Sequence, residues 1–153
     1  MANLTATTPI GTFFAAVITR IQSQLTVAAH RVFVVDKLRL QDAAVPNFQI
    51  EPVSMIPLAE NTGVNTCIVE YKVHAVVKNE YDAGKRMTEK LVDNKSAFLQ
   101  MNTVADALLG MAETTSYSRQ MFLRMDSGAH DEAQGLTTAT GHFRCHVRTL
   151  SDG

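Results

Sequence analysis

CIVEYKVHAVVK, residues 67–78, alternates apolar and polar side chains with a period of two. Successive Cβ atoms of an extended chain point to opposite faces. Cys67, Val69, Tyr71, Val73, Ala75 and Val77 therefore share one side, and Glu70, Lys72, His74 and Lys78 the other. The alternation predicts a strand over residues 66–78 with one buried face. It also puts Cys67 and His74 on opposite faces, so they cannot meet without a partner from elsewhere. A strand with one apolar face needs a layer to cover it.

Two segments have the helical period that such a layer requires. Thr8 can cap free N–H groups and Pro9 fits a first turn. After them Ile10, Phe13, Phe14, Val17, Ile18, Ile21 and Leu25 recur at three- and four-residue spacing, predicting a helix to about residue 28. Phe98, Met101, Ala105, Leu108 and Ala112, joined by Leu99, Val104 and Leu109, make a second stripe over residues 95–111, with Gly110 marking its end. Met101 in such a stripe reads as core filler.

The other extended segments are less regular. The β-branched run at residues 32–35 predicts a short strand. AVPNFQIEPVSMIPL, residues 44–58, carries Pro46, Pro52 and Pro57, each without the N–H that a central ladder uses, which predicts an edge strand or extended arm. Charge concentrated around Asp82 and Arg86 predicts a solvated helical turn or loop. Met121, Leu123 and Met125 alternate with Gln120 and Arg124, although Phe122 breaks the pattern, and residues 126–135 have the composition of a polar loop. A closing strand is expected over residues 137–149. The sum is one α+β domain over residues 1–153, with a flexible amino terminus at 1–8. Its mixed or antiparallel sheet packs against two amphipathic helices in the order α-β-β-β-α-β-β.

GHFRCHVR, residues 141–148, gathers His142, Cys145 and His146. On a helix the two histidines would lie one turn apart and could share a zinc ion. In a strand their α-carbons are ~13 Å apart, too far for one ion. The β-branched flanks and the alternation of Phe143, Cys145 and Val147 with His142, Arg144, His146 and Arg148 favour the strand. Cys145 then faces the core and both histidines face away, so no metal or cysteine chemistry is expected there. The sequence has no glycine-rich phosphate loop, HExxH, GxSxG or CxxC. Asp126, His130, Asp131 and Glu132 could bind a cation or act as acid and base, but a flexible loop gives little preorganisation. No catalytic, cofactor or metal residue is assigned.

Net charge is -1, which provides no field for nucleic acid or anionic membrane. A chain of 153 residues buries about two thirds of its unfolded surface and needs neither disulfide nor metal for a core. Cys67 and Cys145 read as reduced thiols used as small hydrophobes. The amino terminus lacks a basic n-region, and FFAAVI is too short for a signal h-region or membrane span.

The order of elements resembles the tail terminator and head-to-tail joining (neck) proteins of long-tailed bacteriophages. The likeness rests on TPIGTFFAAVITRI, VPNFQIEPVSMIPL, CIVEYKVHAVVKN, NKSAFLQMNTVADALLGM and MFLRMDSGAHDEAQGLTTATGHFRCHVRT. It covers most of the chain through a pattern of elements rather than a short motif. Residues 43–65 are an addition to the usual run from first helix to compact strands. The resemblance implies a structural virion protein without catalysis or cofactor, located at the tail neck and assembled in the host cytoplasm. It would form a homohexameric ring that ends tube polymerisation, with the tail tube protein on one face, a head connector or neck protein on the other, and DNA passing transiently through the channel. The segments expected to make its contacts are Pro46, Phe48, Ile50, Pro52, Met55 and Pro57 in the proline-bearing arm, and Asp126, His130, Asp131 and Glu132 in the polar loop. The basic row His142, Arg144, His146 and Arg148 is a third candidate, whose plainer reading is a solvated sheet face. Two alternatives stay open: another head-completion or tube-like virion protein, and a small α+β enzyme or ligand-binding domain using the acidic loop or histidine face.

Overall fold

A computed structural model of the chain describes residues 9–25, 31–39, 46–57, 64–78, 97–126, 130–131 and 136–150. Helix α1, Pro9–Leu25, is followed by β1, Val32–Val34, β2, Asn47–Pro57, and β3, Val64–Lys78. Helix α2, Ala97–Leu109, then precedes β4, Met121–Asp126, β5, His130–Asp131, and β6, Leu136–Leu150. The sheet runs β1-β2-β3-β6-β4, with β5 also paired to β6. Among the described strands only the β1·β2 pair is parallel. The fold is α+β, as the sequence predicts, with one further short strand where a loop was expected. Among the described residues no helix is long and apolar enough to cross a membrane. The charged segment around Asp82 and Arg86 and the amino-terminal residues 1–8 lie outside the described residues.

β3 and β6 pair along their full lengths, from Val64 opposite Leu150 to Lys78 opposite Leu136. This register sets the two apolar rows side by side, with Val69 opposite Cys145, Tyr71 opposite Phe143 and Val73 opposite Gly141. Both helices lie on that face. Phe13, Phe14, Val17 and Ile21 of α1 and Met101, Val104 and Leu108 of α2 join it in one core. Aromatic rings form its centre: Tyr71 stacks on Phe143 at 5.5 Å and meets the edges of Phe13 and Phe14 at 5.7 and 5.8 Å.

Two predicted faces need correction. In α2 the buried stripe is Ala97, Met101, Val104, Ala105, Ala107 and Leu108, while Phe98 and Leu109 are exposed. Helical rotation carries these two past the contact with the sheet. In β4 Phe122 lies opposite Phe143 on the core face, and a bulge between Phe122 and Arg124 inserts Leu123, which brings Met125 onto that same face. Phe122 and Met125 thus pack against the core, whereas Met121 and Leu123 are exposed. Gly110 follows α2 without a left-handed φ. The helix end is tied instead by Arg20 Nε, which donates to the Ala107 carbonyl at 2.8 Å.

β2 is an edge strand for only part of its length. Its beginning lies inside the sheet, with Phe48, Gln49 and Ile50 between β1 and β3. Val35 N–H donates to the Ile50 carbonyl at 2.9 Å, so the Ile50 backbone groups point towards β1. Two residues on, the nitrogen of Pro52 points the same way, beyond the end of β1, and its missing N–H leaves the β3 ladder intact. Val53 is then the extra residue of a bulge between Pro52 and Ser54. The bulge changes the parity, so that Pro57, opposite Cys67, also turns its nitrogen away from β3. Two prolines an odd number of residues apart are accommodated in one strand by one inserted residue.

Candidate functional site

The face of the sheet opposite the helices is built from polar residues held in cross-strand rows. Strand alternation brings Glu51, His74 and Thr140 into neighbouring positions on β2, β3 and β6. His74 is 5% exposed. Its Nε2 lies 2.9 Å from Glu51 Oε1 and its Nδ1 2.7 Å from Thr140 Oγ1. A carboxylate only accepts, so Nε2 carries the proton and Nδ1 accepts from the threonine hydroxyl, the pattern of a neutral imidazole. Further along the sheet Arg144 donates to Glu70 Oε1 from Nη2 at 2.9 Å and from Nε at 3.2 Å. His142 Nε2 meets Asp126 Oδ2 at 2.8 Å, and the Asp126 carboxyl is held below its usual 3.8, first by that hydrogen bond and then by the charge of His142. Beside β2, Gln49 Nε2 donates to the Arg39 carbonyl at 2.5 Å and to Asn47 Oδ1 at 3.0 Å. Arg39 N–H returns a bond to Gln49 Oε1 at 2.8 Å. This clamp explains a glutamine with no exposure on a face that carries no helix.

Burial holds the His74 imidazole below its ordinary 6.5, against the opposing hydrogen bond and charge of Glu51; Lys72 and His142 lower it further. The unfolded chain therefore binds this proton more readily than the folded one. Its contribution to stability is complete above 6.5 and declines as pH falls from 6.5 towards the lower folded value. The urea midpoint is expected to decline over that window, at no more than about 1.4 kcal/mol per pH unit for this one proton. His74→Gln should flatten the decline, and an unchanged slope in that variant would assign it to other groups.

On the helix side a chain of hydrogen bonds crosses the core. Tyr71 O–H donates to Gln120 Oε1 at 2.5 Å, Gln120 Nε2 donates to Cys145 Sγ at 3.2 Å, and the thiol donates to the Ser118 carbonyl at 3.2 Å. Burial pushes both the Tyr71 phenol and the Cys145 thiol up from their ordinary values, and the charge of Cys145 adds to the rise at Tyr71. Both stay protonated, and a neutral buried thiol is a poor nucleophile. Cys67 and Cys145 are both buried and free.

The expected contact residues fall into separate groups. Phe48 and Ile50 have no exposed surface and belong to the core, because β2 begins inside the sheet. Pro46 and Pro52 are half-buried, Met55 is 53% exposed, and Pro57 closes β2. Asp126 closes β4, while His130 and Asp131 form β5, opposite Thr137 and Leu136. Glu132 lies outside the described residues. The basic row splits. His142 and Arg144 are paired with carboxylates, whereas neither His146 nor Arg148 has an ion pair among the described residues. Of the polar-loop candidates and this row, the structure brings together Asp126 and His142.

Exposed apolar side chains that simple alternation misplaces lie at the two sides of the sheet. Val53, Met55 and Ile56, each about half exposed, line the free half of β2. Met121 and Leu123, 42% and 46% exposed, line β4. Strands β3 and β6 separate the two groups, and each group includes the extra residue of a bulge. One signal in the sequence could have located them: a proline or an aromatic residue that breaks an otherwise alternating run.

No protein-family model matches the chain, and no curated protein matches it. Among solved structures, it is similar to a chain from the virion of a native gene transfer agent particle, with a TM-score of 0.53 and 15% sequence identity. The match covers 88% of this chain and 92% of the other. At this identity the likeness establishes a shared fold.

Proposed function

We propose that the chain is a structural virion subunit that associates head-to-tail into a ring of six at the head-proximal end of a phage-like tail. There it ends polymerisation of the tube and joins tail to head. The observation that carries this reading is the pair of dissimilar apolar patches on opposite sides of one sheet: Val53, Met55 and Ile56 on β2, Met121 and Leu123 on β4. A two-fold dimer uses one self-complementary patch, whereas a ring uses two different patches on each subunit. The near-zero net charge allows identical copies to approach without strong repulsion. The fold shared with a chain of a gene transfer agent virion supports the same reading.

The test combines native mass measurement with electron microscopy of the wild-type protein and of two double variants, M55D/I56D and M121D/L123D. Rings are expected for the wild type and monomers for each variant. Mixing the two variants leaves one intact patch on each, so the mixture should give dimers and nothing larger. Rings formed by either variant would sink the proposal. The terminating role is read separately, from whether the protein stops tail-tube protein elongating beyond its normal length.

A further inference from the structure

The half of the basic row that has no ion pair among the described residues opens into a cavity. His146 and Arg148 line a pocket of about 310 Å³ together with Thr66, Thr114, Ser118 and Glu113. This size is at the low end for small-ligand sites. Thr66 stands opposite Arg148 across the β3·β6 pair. The facing wall is the segment after α2, which is fastened to β6 along its backbone. Ser118 N–H donates to the His146 carbonyl at 2.9 Å and Arg148 N–H donates to the Ser116 carbonyl at 2.8 Å. The His146 N–H donates to Ser118 Oγ at 3.0 Å. The walls are therefore held by main-chain bonds.

The donor set defines a ligand class. The planar guanidinium of Arg148 presents a fork of donors that suits an oxyanion. Thr114 Oγ1 accepts the N–H groups of Ser116 and Tyr117 at 3.0 and 3.2 Å, so its own hydroxyl proton is available to donate into the pocket. Against these donors stands one carboxylate, Glu113, which can only accept. It repels a fully deprotonated oxyanion but accepts a hydrogen bond from a protonated one. We infer that the pocket binds a tetrahedral oxyanion that carries a proton, inorganic phosphate or the monoanion of a phosphomonoester, in preference to sulfate or a phosphodiester. The site lies within a single chain and does not depend on ring formation.

The test is an NMR titration of the full chain with inorganic phosphate, glycerol 3-phosphate, sulfate and a short DNA duplex, at matched ionic strength. Saturable shifts at His146, Arg148 and Thr114 are expected with phosphate or the monoester, and weaker ones with sulfate. Stronger binding of the monoester would identify an esterified phosphate as the ligand, and stronger binding of inorganic phosphate the free ion. Arg148→Gln should weaken binding about tenfold to a hundredfold, the loss of a charge-assisted contact. Arg144→Gln, which removes a guanidinium already paired with Glu70, should leave binding unchanged. Glu113→Gln should bring sulfate up to the level of phosphate. Three results would each overturn the assignment: no saturable shift with either phosphate compound, equal binding by wild type and Arg148→Gln, or a duplex or sulfate that matches phosphate in the wild type.

Discussion

Phe143→Ala is expected to lower stability by about 3–5 kcal/mol and the melting temperature by about 6 to 20 °C. The ring has no exposed surface and lies where three elements meet. It stacks on Tyr71 at 5.5 Å, meets Phe122 of β4 at 5.1 Å, and leans over Gly141 of its own strand. Truncation leaves a cavity bounded by an aromatic ring on the central strand and another on the outer one. Neither can move to fill it without disturbing a sheet register. Tyr71 would also lose the ring that helps fix its hydroxyl against Gln120, so the loss should fall in the upper part of that range. Chemical denaturation with an unchanged m-value would place the effect in the folded state. A loss below about 1 kcal/mol would mean that the aromatic cluster is not packed as described.

Gly141→Val should have the next largest effect, about 2–3 kcal/mol, by overfilling the same region. A Cβ at position 141 would lie 2.7 Å from Met101 Sδ and 2.9 Å from Phe143 Cε2. The absence of a side chain there allows Met101 to rest on the strand and sets how closely α2 approaches β6. The two side chains that this Cβ would meet, Met101 and Phe143, are themselves fully buried. The variant G141V/M101A should recover part of the loss, since removing the methionine side chain clears the closer of the two contacts. If the double variant were no more stable than the sum of the two single changes, the contact would not be the cause.

These two residues also show which features the sequence made legible. Phe143 belongs to an alternating row whose direction follows from strand geometry, and the same rule separates Cys145 from His142 and His146. It resolves the apparent metal cluster into one buried and one outward row. The stripe of α1 was readable for the same reason, an unbroken period. Gly141 sits in the quoted segment, but what it accommodates is the side chain of Met101, and sequence spacing does not say which helical residue crosses which strand. Bulges defeat the reading more directly, since one inserted residue reverses every later side chain. On β4 the insertion of Leu123 turns Met125 away from Met121 and Leu123, which an unbroken alternation places on one face. On β2 the three prolines indicate an edge strand or arm, which puts Phe48 and Ile50 among the expected contact residues. They do not reveal that β1 pairs in parallel with the beginning of the strand. The carboxylate partners of the outward histidines, Glu51 and Asp126, come from other strands, and register alone identifies them.

The prolines of β2 have a consequence for how copies of the chain could meet. An open strand edge with a full set of amides is a template for unlimited stacking, the route to fibrils. Pro52 and Pro57 remove outward donors at two places along the free half of this strand, and the bulge at Val53 bends what remains. A second chain therefore cannot simply zip onto it by backbone pairing. Contact has to be made through the shapes of Val53, Met55 and Ile56, which fit a particular partner at a particular angle. A surface that recognises shape can close on itself after a fixed number of copies, whereas one that offers only backbone has no means of stopping.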